Sequence, residues 1–115
     1  MHEEPKTVGT LCEELGLTAF HLADPDRAAT GVYIGDLLSW VMGRAPADCV
    51  WITIMSNVNV CAVAALADCA CVLLAEGVTP DPEALEAAKT RGINLIGAEK
   101  TAYELAVLLM ASGTV

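Results

Sequence analysis

The sequence predicts an α/β domain: a mainly parallel sheet of four to five strands with helices on both faces. Three observations predict it. Residues 49–77 read as an apolar strand, a short polar turn, a helix of small apolar residues and a second apolar strand. Strand-type and helix-type patterns alternate along the chain, as expected when crossover helices join parallel strands. The strand pattern at residues 49–55 is apolar on both faces, as in a strand enclosed between helix layers.

Each element can be justified in turn. A first helix is predicted over residues 7–15, where Val8, Leu11, Cys12 and Leu15 recur at helical spacing, Thr7 can cap the start and Gly16 can end it. Residues 18–22 form a short strand pattern, and Asp24-Pro25-Asp26-Arg27 reads as a turn. Residues 28–34 fit either a loop or a short second strand. Gly35-Asp36 opens the next helix, with Asp36 near its positive end, Leu37, Leu38, Val41 and Met42 as its apolar face, and Gly43 as its stop. Trp40 lies off that stripe and suits either the core edge or a dimer contact.

After the strand at residues 49–55 comes a helix at 58–67 that is apolar nearly all round and must be buried on most sides. Residues 70–75 give another buried strand. Asp81 caps the following helix with Pro82 at its first position; Glu83 and Glu86 lie early and Lys89 and Arg91 late, matching the helix dipole, and Gly92 ends it. Residues 93–96 form a short strand. Thr101 and Glu104 fit a capping box, Ala102, Leu105, Ala106 and Leu109 make one apolar stripe, and Gly113 closes the last helix.

The 115 residues are one domain's worth, with residues 1–6 expected to be a flexible N-terminus. Apolar residues make up 55% of the chain and charged residues 18%. A domain this small has a large surface for its volume, so part of that apolar excess is expected to be covered by a second copy in a homodimer. The formal net charge is -9, with 15 Asp and Glu against 6 Lys and Arg. That balance repels the phosphate backbone of nucleic acids and an anionic membrane surface alike. The start, Met-His-Glu-Glu-Pro-Lys-Thr, lacks the basic and apolar regions of a signal peptide, and Asn59 and Asp68 interrupt the longest apolar stretch.

Five cysteines occur, Cys12, Cys49, Cys61, Cys69 and Cys71, with no CxxC pair. An odd count used this way fits a reducing cytoplasm in which cysteine serves as a small buried hydrophobe. Strand periodicity puts Cys69 and Cys71 on one face. Even with His21 they fall short of a metal-ligand set, and neither a metal nor a cofactor is expected. His2 lies in the N-terminal tail.

In parallel sheets, ligands bind beyond the carboxyl ends of the strands. Four loops are expected there, residues 24–27, 56–59, 76–79 and 98–101. They bring together Arg27, Ser56, Asn57, Asn59, Glu76, Thr79, Lys100 and Thr101. Asn57 can cap the buried helix, and the free N–H groups behind it can face an anion with Lys100 adding positive charge. Capping alone also explains these residue types. No GxGxxG, no GxxxxGK[ST] phosphate loop and no GxSxG elbow is present, so no catalytic residue is assigned.

The residues also carry a family resemblance. Val32-Tyr33-Ile34-Gly35-Asp36-Leu37-Leu38-Ser39 with Val41-Met42-Gly43, Trp51-Ile52-Thr53-Ile54, Asn59-Val60 with Ala62-Val63-Ala64, and Glu76-Gly77 with Pro80-Asp81 resemble small stand-alone DRTGG-domain proteins of bacteria, relatives of the amino-terminal domain of HPr kinase. The similarity runs from about Tyr33 to Gly113. It implies an α/β domain that accompanies CBS domains or other regulatory and enzymatic modules and acts as a regulatory or dimerisation unit. The kinase label does not transfer, because the phosphate loop is missing. The chain departs from the family's name at two places: Asn57-Val58 stands where Asp-Arg is expected, and Ala75-Glu76-Gly77 where Thr-Gly-Gly is expected.

The expected function is therefore a cytoplasmic, homodimeric regulatory or interaction module without catalysis of its own. It would sense a small metabolite or nucleotide at the strand C-terminal edge, and a partner enzyme would meet its apolar surface. The alternative is a small enzyme or enzyme subunit using the same edge, with Asn57, Glu76 and Lys100 as its polar groups.

Overall fold

A computed structural model describes residues 4–114. Residues 1–3, with His2 and half of the expected flexible N-terminus, lie outside the described residues, as does residue 115. Ten elements follow one another: α1 (Val8–Leu15), β1 (Thr18–His21), β2 (Val32–Ile34), α2 (Leu38–Arg44), β3 (Val50–Thr53), α3 (Asn59–Ala67), β4 (Cys71–Leu74), α4 (Pro82–Arg91), β5 (Leu95–Gly97) and α5 (Ala102–Ala111). One sheet joins all five strands in the order β1-β5-β4-β3-β2. Strands β2, β3, β4 and β5 are parallel neighbours, and β1 pairs antiparallel with β5. The α/β architecture with a mainly parallel sheet is thus as expected, and residues 32–34 resolve to a strand.

Two core layers follow from the strand pleat. On one face, Val50, Ile52, Cys71, Leu73 and Ile96 pack against Val8 and Leu11 of α1 and Leu105 and Leu109 of α5. On the other, Trp51, Val72, Leu74 and Leu95 pack against Val41 of α2, Val60, Cys61, Val63 and Ala64 of α3, and Ala88 of α4. The three crossovers between parallel strands therefore share one face, and the chain's two terminal helices cover the other. Every residue of β3 and β4 is buried, which is why neither strand alternates in sequence. Trp51 has no solvent exposure, and its indole N–H donates to the Gly35 carbonyl at 2.9 Å. A buried tryptophan satisfied in this way both fills the core and ties β3 to the end of β2.

Several local expectations need correction. Asp36 does not serve the start of α2. Its Oδ1 accepts from the Thr53 hydroxyl at 2.7 Å and from the Ile54 N–H at 3.0 Å, and α2 begins at Leu38 without a side-chain cap. The same helix runs through Gly43 to Arg44, and of its expected apolar face only Val41 is buried, while Leu37 and Met42 are exposed. Helix α3 exposes Leu66, so its burial is one-sided. Cys69 and Cys71 do not share a face. Cys69 precedes β4, just after Asp68 turns the chain through a left-handed conformation at φ 57°, and the two thiols enter opposite core layers. The capping box of Thr101 and Glu104 is formed: Glu104 N–H donates to Thr101 Oγ1 and Thr101 N–H to Glu104 Oε1. Those bonds hold the Glu104 carboxyl below the usual carboxylate range, helped by the charge of Lys100.

Candidate functional site

The parallel strands set the position of the candidate site. Their carboxyl ends emerge at one edge of the sheet, so the connections after β2, β3, β4 and β5 form a single rim. The rim is laced by hydrogen bonds in strand order. Asp36 ties the end of β2 to Thr53 and Ile54 beyond β3. Ser56 Oγ donates to Asp81 Oδ1 at 3.1 Å, and the Asp81 N–H donates to the Ser56 carbonyl at 3.0 Å, joining the loops after β3 and β4. Glu76 N–H donates to the Lys100 carbonyl and Gly77 N–H to the Ala98 carbonyl, joining the loops after β4 and β5.

Of the eight residues expected together at the strand ends, six sit in the rim's loops, Asn59 opens the helix that leaves it, and Arg27 lies elsewhere. Ser56, Asn57 and Asn59 stand after β3, Glu76 and Thr79 after β4, and Lys100 and Thr101 after β5. The β-α-β unit at their centre has its two strands parallel, and its asparagine-rich bend lies at the rim with Asn57 half-buried and Asn59 exposed. Asn57 Oδ1 accepts from the Asn59 N–H at 2.9 Å, so Asn57 turns the chain into α3, while the N-cap position itself falls to Val58, without a side-chain bond. Glu76 and Gly77 are both left-handed, at φ 61° and 72°. Two consecutive residues in this conformation make the sharp turn that brings Gly77 to Ala98.

Arg27 is not at this rim. The turn at residues 24–27 follows β1, and β1 runs antiparallel to its neighbour, so the turn lies at the opposite edge. There the Arg27 guanidinium reaches Asp48 Oδ1 at 2.8 Å, Asp68 Oδ1 at 3.0 Å and the Asp68 carbonyl at 2.9 Å. Asp48 and Asp68 precede β3 and β4. Partial burial works against the charge of Arg27, but the two carboxylates outweigh it and hold the guanidinium above its ordinary value. No local signal marks this reversal, because β1 pairs with β5, far along the chain, and lies at the opposite side of the sheet from β2.

The electrostatics of the rim differ from helix to helix. At α4, Glu83 occupies the first turn; at α5, Glu104 does. At α3 no acid occupies the first turn. Four helices start at this rim, and α2 and α3 are the two whose first turns carry no acid, so the positive end of α3, the longer of the two, faces no acid of its own. Beside the β4 and β5 loops, Thr18, Phe20, Gly77, Val78, Thr79, Gly97, Ala98 and Glu99 enclose a depression of about 160 Å³. Of its lining only Thr79 was expected. Gly97 shapes its floor: a Cβ there would stand 2.6 Å from the Phe20 ring, and a glycine inside a strand is the sequence signal for such a close approach.

No family model matches the sequence, and no curated protein matches it. Among solved structures, the fold matches the CBS and DRTGG domains of the regulatory region of a Clostridium perfringens pyrophosphatase, determined in complex with its activator, diadenosine tetraphosphate. The TM-score is 0.76 at 15% sequence identity. The chain has a DRTGG-like fold. The match covers 93% of this chain and 47% of the pyrophosphatase chain, so the DRTGG-like domain spans about half the length of that structure. Among the described residues no helix is long and apolar enough to cross a membrane.

Proposed function

We propose that this DRTGG-like domain is a regulatory module that senses a small anionic metabolite or nucleotide at the C-terminal rim of its sheet. The observation that carries the reading is the open positive end of α3, flanked by Asn57 and Asn59 on a rim that also bears Lys100. An anion there would take the place of Asn57 Oδ1 on the Asn59 N–H and gain from the helix dipole. The likeness to a regulatory region supports the same reading, since that region is complexed with a nucleotide activator. Asn57-Val58 stands in place of an arginine-bearing pair, so the anion would be held by backbone and amide groups, with Lys100 as the charge.

The rim leads directly to a surface that could pass the signal on. Thr101, next to Lys100, caps α5. The outer face of α5 carries Tyr103, Val107 and Met110, all exposed and spaced on one stripe. A second copy packed on that stripe would give the homodimer, and a ligand drawing on Lys100 would bias the same helix. Trp40, exposed with Arg44 stacked 3.8 Å from its ring centroid, offers a separate surface for a partner enzyme. In the cytoplasm such a module would act on that enzyme without chemistry of its own.

A thermal-shift screen with nucleotides and inorganic anions tests the site. A binder is expected to raise the melting temperature in proportion to the logarithm of its concentration above saturation. Asn57→Ala and Lys100→Ala together are expected to remove that stabilisation. Stabilisation that survives the double substitution places the ligand elsewhere. Light scattering at micromolar concentration tests the assembly: twice the chain mass is expected, falling to the chain mass with Val107→Glu and Met110→Glu.

A further inference from the structure

The edge of the sheet opposite the rim holds a second constellation. The tripeptide Ala-Asp-Cys occurs twice, at residues 47–49 before β3 and 67–69 before β4. Both aspartates are left-handed, at φ 67° and 57°, and both are bound by Arg27. The Asp48 N–H donates to the Asp68 carbonyl at 2.8 Å, and the Ala70 N–H donates to the Cys49 carbonyl at 2.8 Å. The two strand starts are thereby locked side by side. Their cysteines follow, one residue out of the strand register, with the Cys49 and Cys69 sulfurs 3.8 Å apart.

We propose that Cys49 and Cys69 form a thiol modification site that closes reversibly to a disulfide on exchange with a small, carboxylate-bearing disulfide such as oxidised glutathione. The site is open on one side. Cys69 lines a depression of about 220 Å³ together with Arg27, Asp68, Arg91 and Asn94. Cys69 is 6% exposed and Cys49 fully enclosed, so Cys69 meets the oxidant and Cys49 resolves. Arg27 is already paired with Asp48 and Asp68, so the exposed Arg91 supplies the positive charge for a carboxylate of the incoming molecule. Closure requires the sulfurs to move from 3.8 Å to about 2.05 Å, a contraction that Arg27 prepares by holding Asp48 and Asp68 on one guanidinium. Arg27 is a positioning residue here.

The chemistry balances. The contact between the two sulfurs draws the Cys49 thiol down and, with burial, pushes the Cys69 thiol up, so the first proton of the pair leaves from Cys49. The Cys49 thiolate accepts the Cys69 proton across their hydrogen bond. The Cys69 thiolate attacks one sulfur of the oxidant, an S–S bond forms at Cys69, and one small thiolate leaves. Cys49 then gives up its proton and attacks the Cys69 sulfur, the internal disulfide forms, and the second small thiolate leaves. Two protein thiols become one disulfide, and the oxidant is reduced to two thiols.

The test is incubation of the folded, reduced chain with oxidised glutathione, then acid quenching, alkylation and peptide mapping. Linked peptides containing Cys49 and Cys69 are expected, reversed by dithiothreitol. Cys49→Ser is expected to stop at a glutathione adduct on Cys69, and Cys69→Ser to prevent reaction at Cys49. Cys12→Ala is expected to leave the linkage unaffected. Arg27→Ala, with folding verified by circular dichroism, is expected to slow closure several-fold. The proposal is overturned if Cys49 and Cys69 of the wild-type chain stay free, or if modification is confined to Cys12 or links another pair. Mapping on the wild-type chain decides this even if a cysteine variant fails to fold.

Discussion

Trp51→Ala is expected to destabilise the domain by about 3–5 kcal/mol, the largest loss from any single substitution considered. Trp51 is fully buried on the face covered by α2, α3 and α4, among Val41, Val60, Val72 and other buried apolar residues. Its removal opens a cavity in a strand whose neighbours are fixed by the ladders on both sides, so collapse into the space is restricted. It also leaves the Gly35 carbonyl without the indole donor. Domains of this kind have only about 5–15 kcal/mol to lose. Urea unfolding followed by far-ultraviolet circular dichroism is the appropriate measurement, since the substitution removes one of the two tryptophans. A midpoint within experimental scatter of wild type would show that Trp51 is not in the core.

Asn94→Ala is expected to cost about 2–3 kcal/mol, chiefly through buried polar groups left unpaired. Asn94 is buried beside the start of β5, where its side chain makes three bonds. Oδ1 accepts from the Asp24 N–H at 2.8 Å, and Nδ2 donates to the carbonyls of Asp24 at 2.8 Å and Ala70 at 3.0 Å. Those bonds pin the turn after the antiparallel strand to the starts of β4 and β5. The Ala70 carbonyl is enclosed and cannot turn to water as the exposed Asp24 groups can. Asn94→Asp keeps the acceptor and loses both donors, so it should also destabilise. Equilibrium unfolding that shows either variant as stable as wild type would contradict this role.

The parts of the fold that were legible in the sequence are those fixed by local pattern. Residues 49–77 reveal a β-α-β unit because strands buried on both faces must be apolar throughout, and β3 and β4 are. The capping box at Thr101 and Glu104 is similarly local. What was not legible depends on distant partners. Asp36 has the look of a helix-start acid, and only the tertiary placement of Thr53 reveals its use at the rim. The turn at Arg27 resembles the other loops after strands, but β1 joins the sheet beside β5, far along the chain, and reverses its direction. Cys69 and Cys71 obey strand periodicity on paper, whereas Cys69 lies before the strand begins, directly after the left-handed Asp68. The seven rim residues were located from strand direction alone, and they lie at the carboxyl ends of β3, β4 and β5 because those strands are parallel.

The central claim is that a small ligand binds at the C-terminal rim, around the start of α3. Titration of the isotopically labelled chain with a stabilising nucleotide, followed by amide chemical shifts, tests it most directly. The account predicts the largest shifts at Asn57, Val58 and Asn59, with further shifts at Glu76 to Thr79 and at Lys100 and Thr101. Shifts centred on Asp48, Asp68 and Arg27 at the opposite edge, with the Asn57 bend unchanged, would contradict it.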